Sequence, residues 1–243
     1  MFRFKQFTVQ QHRTAMKVCT DACVLGAYTH PATTQLRENP TLLDIGTGTG
    51  LLALMAAQNY PKAPRIDAVE LDPDAFAQAT DNVAASPFAN RIRVHQTAIQ
   101  HFRPDAPYDL ILTNPPFFTN HLRSPNAATN RALHTDTLPF PDLVAAADRL
   151  LHPDGEWWVL LPPYEAGQLE TLAQQANLWP FSRLSLRHNA RKAPFRHITG
   201  YRRNPSAVQA DTLTVYEPDP ANPGRETYTL PFRQLLSPFY LIF

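Results

Sequence analysis

The chain has 243 residues, enough to bury a sizeable core as one enlarged α/β domain or two small ones. A hydrophobic share of 44% and a charged share of 18% describe an ordinary globular protein, and no run approaches the ~20 apolar residues that cross a bilayer. The net charge is +1, so the chain as a whole is neither a polycation nor an acidic tail.

The opening Met1-Phe2-Arg3-Phe4-Lys5-Gln6-Phe7 lacks the apolar stretch and cleavage site of a secretion signal. Cys19 and Cys23 are the only cysteines, so a disulfide framework is not expected and a reduced, cytoplasmic protein is. From residue 41 strand and helix signals alternate. Leu42-Leu43-Asp44-Ile45 is a short apolar strand that runs into Gly46-Thr47-Gly48-Thr49-Gly50, and Leu51 to Gln58 reads as a helix. Ile66 to Glu70 is the next strand, followed by a helix from Pro73 to Ala85 with proline in its first turn. Ile92 to His95 and Tyr108 to Thr113 are two further strands, the second leading into Asn114-Pro115-Pro116-Phe117. A helix at Phe140–Leu151, a strand at Trp157–Leu161 and a helix at Glu165–Asn177 continue the pattern, and Phe181–Leu186 with Ile198–Arg202 supply two last strands. Such alternation predicts an α/β fold: a Rossmann-like, doubly wound, mostly parallel seven-stranded sheet covered on both faces. Residues 1–40 form an N-terminal extension expected to fold over the ligand end, 41–203 the main domain, and 204–243 a C-terminal segment docked on it. Twenty-four prolines against 8 glycines suggest stiff loops.

In a sheet of this kind ligands bind outside the carboxyl ends of the strands. Glycines at 46, 48 and 50 permit a tight strand-to-helix turn that brings backbone close to a ligand. The spacing G-x-G-x-G differs from the dinucleotide fingerprint G-x-G-x-x-G, which disfavours a nicotinamide cofactor. Glu70 ends the next strand, where a carboxylate accepts hydrogen bonds from ribose hydroxyls; its alternative is to favour a helix N-terminus together with Asp72. Asp44 either holds a cofactor's amino group or braces the glycine turn.

Asn114-Pro115-Pro116-Phe117 faces the same crevice. An amine conjugated to a base or an amide is a poor nucleophile because its lone pair is delocalised. Acceptors at the Asn114 side chain and the Pro115 carbonyl turn that lone pair toward a methyl donor. Proline stiffens the turn, and Phe117 can stack on a planar ring. The donor expected is S-adenosylmethionine, whose sulfonium methyl is already activated, so the protein mainly aligns and desolvates the reacting atoms.

With Asp44 to Gly50, this turn resembles the amino-methyltransferases that act on adenine N6, guanine N2 or glutamine nitrogen. Phe4-Lys5-Gln6-Phe7, His12-Arg13, Met16-Lys17-Val18, Thr20-Asp21 and Leu25-Gly26-Ala27 tighten the resemblance to the bacterial valine-tRNA adenosine-37 N6-methyltransferases. Ile66 to Leu71, Ser86-Pro87, Arg91-Ile92 and Phe239-Tyr240-Leu241 extend it over essentially the whole chain. It implies a class I methyltransferase that modifies the adenosine beside the anticodon. The cofactor set it implies is Lys17, Thr20, Asp21, Asp44, Gly46, Thr47, Gly48, Gly50, Glu70, Leu71, Ala98 and Asn114. Catalysis falls to Asn114, Pro115, Pro116 and Phe117. An acid that often contacts the cofactor's adenine amine is replaced, with Ala98 at its position and Gln96 or Gln100 as substitutes.

The basic residues are segregated: Arg183 to Arg203 holds seven Arg or Lys and no acid, and Met1 to Arg37 holds five against Asp21 alone. That separation suits a polyanion such as tRNA. Arg187, Arg191, Lys192, Arg196, Arg202 and Arg203 are the phosphate-binding candidates, and Arg123, after the catalytic turn, is expected to line the RNA entrance. No histidine pairing demands a metal and Cys19-x3-Cys23 is a weak metal signal, so none is expected. A monomer is favoured. The alternatives are methylation of guanine N2 in ribosomal RNA or of a release-factor glutamine, a non-catalytic RNA-binding module, and a nicotinamide oxidoreductase.

Overall fold

Leu42–Ile45 (β3) is buried at all four positions, which is what an uninterrupted apolar run does when both faces of its sheet are covered. A computed structural model describes residues 1–14, 16–116 and 138–243. Phe117 and Arg123, with Phe118, Asn120, His121, Arg131 and His134, lie outside the described residues.

The N-terminal residues form a small hairpin of β1 (Phe2–Arg3) and β2 (Thr8–Val9), followed by helix α1 (Thr20–Tyr28). After β3 come α2 (Leu51–Asn59), β4 (Ile66–Glu70), α3 (Pro73–Ala84), β5 (Ile92–Gln96) and β6 (Tyr108–Thr113). Then follow α4 (Phe140–Leu150), β7 (Leu151–Leu161), α5 (Pro163–Gln175), β8 (Trp179–Arg187), β9 (Arg196–Arg202) and β10 (Gln209–Thr214). A hairpin of β11 (Tyr216–Pro218) and β12 (Glu226–Tyr228) leads to α6 (Leu230–Leu236).

The central sheet runs β10-β8-β9-β7-β6-β3-β4-β5. All neighbours pair parallel except β9, which is antiparallel to both β7 and β8. The chain moves outward from β3 to β5 and then returns to β6 on the other side of β3. The strand order therefore reverses between β3 and β6, the place where such sheets form a ligand crevice. One face buries α1 and α2 around Leu25, Leu54 and Met55; the other buries α4 and α5 around Leu143, Leu150 and Leu169. Gly26 sits where α1 meets α2, since a Cβ there would come within 2.6 Å of Met55 Sδ.

The structure corrects the strand count: the sheet has eight strands, not seven. The eighth, β10, comes from the C-terminal segment and pairs parallel with β8. Its first four residues are exposed, so it presents no apolar alternation by which an edge strand is recognised. The two ends of the chain also clasp each other. Lys5 donates its backbone N–H to the Phe239 carbonyl at 2.8 Å and its ammonium to the Ser237 and Phe243 carbonyls at 2.6 and 2.8 Å. Among the described residues no helix is long and apolar enough to cross a membrane.

Residues 10–14 and 16–18 leave β2 as a strap. Asn82 of α3, 1% exposed, pins its start, exchanging two hydrogen bonds of 2.8 Å with the Gln10 backbone and donating a third, also 2.8 Å, to the Thr49 carbonyl. Lys17 donates to the Gln11 and Thr14 carbonyls, and the Gln11 side chain accepts from the Val18 N–H, closing the strap on itself. Buried groups that lose such partners keep their desolvation penalty. Asn82→Ala should therefore cost about 3 kcal/mol in urea unfolding; a loss below about 0.5 kcal/mol would show that these bonds do not anchor the strap.

Candidate active site

The crevice is built by two turns that the register sets side by side. Ile45, the last residue of β3, pairs with Thr113, the last of β6, so Gly46 and Asn114 leave adjacent strand ends together. Thr113 is buried and its hydroxyl accepts from Trp157 Nε1 at 3.1 Å, which fixes the end of β6. Pro115 is buried and Asn114 and Pro116 are half-buried.

Across the crevice the glycine turn takes a conformation that L side chains avoid. Gly46, Gly48 and Gly50 have φ of 70°, 57° and 82°. A Cβ added at Gly46 or Gly48 would meet nothing within 4 Å, so it is backbone geometry and open space that these glycines provide. Two acids hold the turn. Asp44 Oδ2 accepts from Thr47 Oγ1 at 2.5 Å and from the Ala53 N–H at 3.1 Å. Glu70 Oε2 accepts from the Gly48 N–H at 2.8 Å, while Oε1 accepts from the N–H groups of Leu71 and Asp72 at 2.9 and 3.0 Å. Of the two uses foreseen for Asp44, the bracing of the turn is seen in Oδ2, while Oδ1 is buried with no partner among the described residues.

Burial raises the Asp44 carboxyl to about 7, against the opposing hydrogen bonds from Thr47 and Ala53 and with some help from the Glu70 charge. Burial also raises the Glu70 carboxyl, offset by its three backbone donors. A cofactor bearing an ammonium group and a ribose fits this pair: an ammonium would supply the missing donor to Asp44, and Glu70 is a carboxylate at the strand end that suits a ribose diol. Leu71, 48% exposed, offers an apolar surface beside it.

The remaining expected residues fall in two groups. Thr97 donates its N–H to the Glu70 carbonyl at 3.0 Å, which brings the turn containing Ala98 to the cofactor edge. Of the two substitutes, Gln100 donates to Asp142 at 3.1 Å and Gln96 pairs with Glu70 across β4 and β5. Lys17 fastens the strap. Thr20 is exposed at the start of α1, and Asp21 pairs with Arg196 Nε at 2.8 Å. Burial pushes the Cys19 and Cys23 thiols up to about 12, which makes them packing groups, not nucleophiles.

The basic segment is split by the antiparallel strand. Arg187 ends β8 and Arg196 begins β9, so the connection carrying Arg191 and Lys192 sits at the carboxyl edge of the sheet, with the glycine turn. Arg202 and Arg203 lie at the other end of β9, roughly 20 Å away at about 3.3 Å per residue. There Arg203 pairs with Asp148 at 2.6 Å and Arg202 stacks over Phe181 at 4.8 Å to the ring centroid. Sequence clustering thus put both ends of one strand into a single patch. Two residues the sequence reading missed are Asn82, the strap's anchor, and Tyr164, an exposed aromatic at the carboxyl end of β7. Asn82 has no sequence signal, because its partners are backbone atoms of distant segments; the Pro162-Pro163-Tyr164 turn was visible but lacked a neighbour.

Residues 31–174 match the methyltransferase small domain. A tRNA1(Val) (adenine(37)-N6)-methyltransferase of Dyadobacter fermentans is 44% identical, over 100% of this chain and 98% of its own length. One from Tolumonas auensis is 41% identical over 99% and 96%. The chain belongs to this methyltransferase family. Solved structures share the fold: a predicted O-methyltransferase from Agrobacterium tumefaciens has a TM-score of 0.65 at 16% identity, covering 90% of this chain and 96% of that one. A methyltransferase from Pyrococcus furiosus has a TM-score of 0.58 at 16% identity, covering 82% and 89%.

The raised Asp44 carboxyl has a consequence for pH. A folded-state value above the unfolded one gives stability that is complete below about pH 4 and lost as pH rises to about 7, where the bare carboxylate stays buried. A ligand ammonium pairs with that carboxylate. The thermal stabilisation by saturating S-adenosylmethionine is therefore expected to be larger at pH 7.5 than at pH 6, and Asp44→Asn to flatten this difference. Equal pH dependence in both proteins, read by calorimetry, would remove Asp44 from the cofactor site.

Proposed function

We propose that the protein transfers the methyl group of S-adenosylmethionine to N6 of adenosine 37 in the anticodon loop of a valine tRNA. The observation that carries this reading is the register of Ile45 on Thr113, which puts an Asn-Pro-Pro turn beside a glycine turn braced by two carboxylates. Full-length identity to relatives named for that activity supports the choice of base and position.

S-adenosylmethionine supplies an electrophilic methyl group on a sulfonium. Asp44 and Glu70 would hold it through its ammonium and ribose, with Leu71 and the turn at Ala98 near its adenine. Asn114 and the Pro115 carbonyl then accept the two N6 hydrogens of the target adenine. That would rotate the amino group out of conjugation and aim its lone pair at the incoming carbon; as N6–CH3 forms, S–CH3 would break to leave a neutral thioether, and one N6 proton would pass to solvent. Pro115 and Pro116 hold the acceptors still, which is alignment catalysis; Phe117, outside the described residues, is assigned to stacking. The adenine must leave its own stack to reach the turn, and that is inexpensive in a single-stranded loop.

The strap begins at Gln10, which Asn82 joins to Thr49 of the glycine turn, and leads into α1, so the N-terminal extension is assigned to covering the cofactor and substrate entrance. Residues 41–203 with the C-terminal segment form the catalytic unit. The reading is of a monomer that acts in the cytoplasm, where its tRNA substrate would be met.

Incubation with labelled S-adenosylmethionine and unmodified valine tRNA should yield N6-methyladenosine by mass spectrometry, and none when adenosine 37 is changed to guanosine. Label in ribosomal RNA or in a release-factor glutamine instead would overturn the assignment. Asn114→Ala should lower kcat at least ~100-fold while leaving cofactor affinity within ~2-fold; wild-type turnover would exclude the turn from catalysis. Replacing Arg191 and Lys192 together by Ala should lower the slope of log affinity against log salt by roughly 2. An unchanged slope would put the phosphates on another surface.

A further inference from the structure

Three large apolar side chains are exposed at the carboxyl edge of the sheet: Leu71 beside the cofactor site, Tyr164 at 70% and Phe195 at 38%. Tyr164 is the most exposed of them and has no part in the chemistry derived above. Single exposed aromatics are common on protein surfaces. What distinguishes this one is its position and the stiff backbone beneath it. β7 is the parallel neighbour of β6, and Thr113 pairs with Val159, so Asn114 leaves the sheet level with Leu160. Four residues span at most roughly 14 Å and neighbouring strands lie about 4.8 Å apart, so Tyr164 stands within roughly 20 Å of Asn114.

Pro162 caps α5 with φ −63° and ψ 157° and Pro163 opens the helix, so the backbone beneath the ring is stiff; Gln168, one turn on, donates to the exposed Tyr164 hydroxyl at 3.3 Å. On the other side of β7, along the same edge, is the connection from β8 to β9 with Arg191 and Lys192 exposed. Arg196 at its end lies over the Phe195 ring at 5.6 Å. An exposed aromatic face next to exposed cations is what single-stranded nucleic acid binds: bases stack on the ring, and phosphates follow the positive charge.

We propose that Tyr164 is a second base-binding subsite, a platform on which an unpaired nucleotide flanking the methylated adenosine stacks while Arg191 and Lys192 hold the adjoining phosphates. This rests on the reading that the substrate is a tRNA loop. The site takes any base, because stacking uses a π-face and not a hydrogen-bonding edge. Its function is to hold the strand on one side so that the target base alone enters the Asn114 turn.

The test uses the full-length protein and a synthetic anticodon stem–loop with 2-aminopurine beside the target adenosine. Tyr164→Ala should raise the KM for this RNA about ten-fold, with kcat within ~2-fold and cofactor affinity unchanged. Quenching of 2-aminopurine on binding should be lost in that variant and kept in Tyr164→Phe, which retains the ring and loses only the hydroxyl. A merely structural role would not give that pairing of quenching and KM, and retained cofactor affinity reports that Tyr164→Ala is folded. Wild-type KM and quenching in Tyr164→Ala, with the stem–loop still methylated by the unmodified protein, would overturn the subsite alone. Failure of the unmodified protein to bind or methylate the stem–loop would overturn the tRNA reading and the subsite with it.

Discussion

Everything at the functional edge depends on a turn of five residues in which three backbone positions have positive φ. Such a turn does not hold its shape by itself, because glycine gains as much freedom unfolded as it grants when folded. It is held from both sides by carboxylates: Asp44 below, through Thr47 and Ala53, and Glu70 opposite, through Gly48. The same two acids are the ones a cationic, ribose-bearing cofactor needs. With the cofactor held as proposed, bracing and binding would be one device. The cost is visible in Asp44, a buried acid whose charged form is disfavoured until a partner arrives.

The sheet decides what else reaches that turn. Parallel pairing of β3, β6 and β7 sends three strand ends to one edge, with the glycine turn, the Asn114 turn and the Pro162-Pro163-Tyr164 turn in adjacent places. The reversal at β9 brings a fourth, basic connection to the same edge and carries Arg202 and Arg203 away from it. Asp21, at the start of α1, then ties that connection to the N-terminal strap through Arg196. One ion pair thus links the start of α1 to the start of β9. At the opposite end of the strap, Asn82 joins Gln10 to the glycine turn. The strap is thus joined at its start to α3 and the glycine turn, and the helix it leads into is joined to β9.

Most of the central elements were readable in order because each carries a local signal. β3 and β6 are short apolar runs, and α3 begins with Asp72 capping Ala75 and proline in its first turn. α1 was not read as a helix: it is apolar throughout, its buried residues run unbroken from Ala22 to Ala27, and its Cys19 cap makes no side-chain hydrogen bond. β10 escaped for the opposite reason, being polar and exposed along most of its length.

The sequence by itself determined the fold class, the glycine turn with its flanking acids, the Asn114-Pro115-Pro116 turn and the family. These are features whose chemistry lies in residue types at short spacing. Only the tertiary structure decided which groups share an edge. It showed Lys17 fastening the strap, split the basic segment between two ends of the sheet, left Asp44 Oδ1 without a partner among the described residues, and set Tyr164 on the same sheet edge as the Asn114 turn. The physical reason is that strand direction and pairing are long-range properties. Reversing one strand moves its end roughly 20 Å, and nothing in the local sequence of β9 records which way it runs.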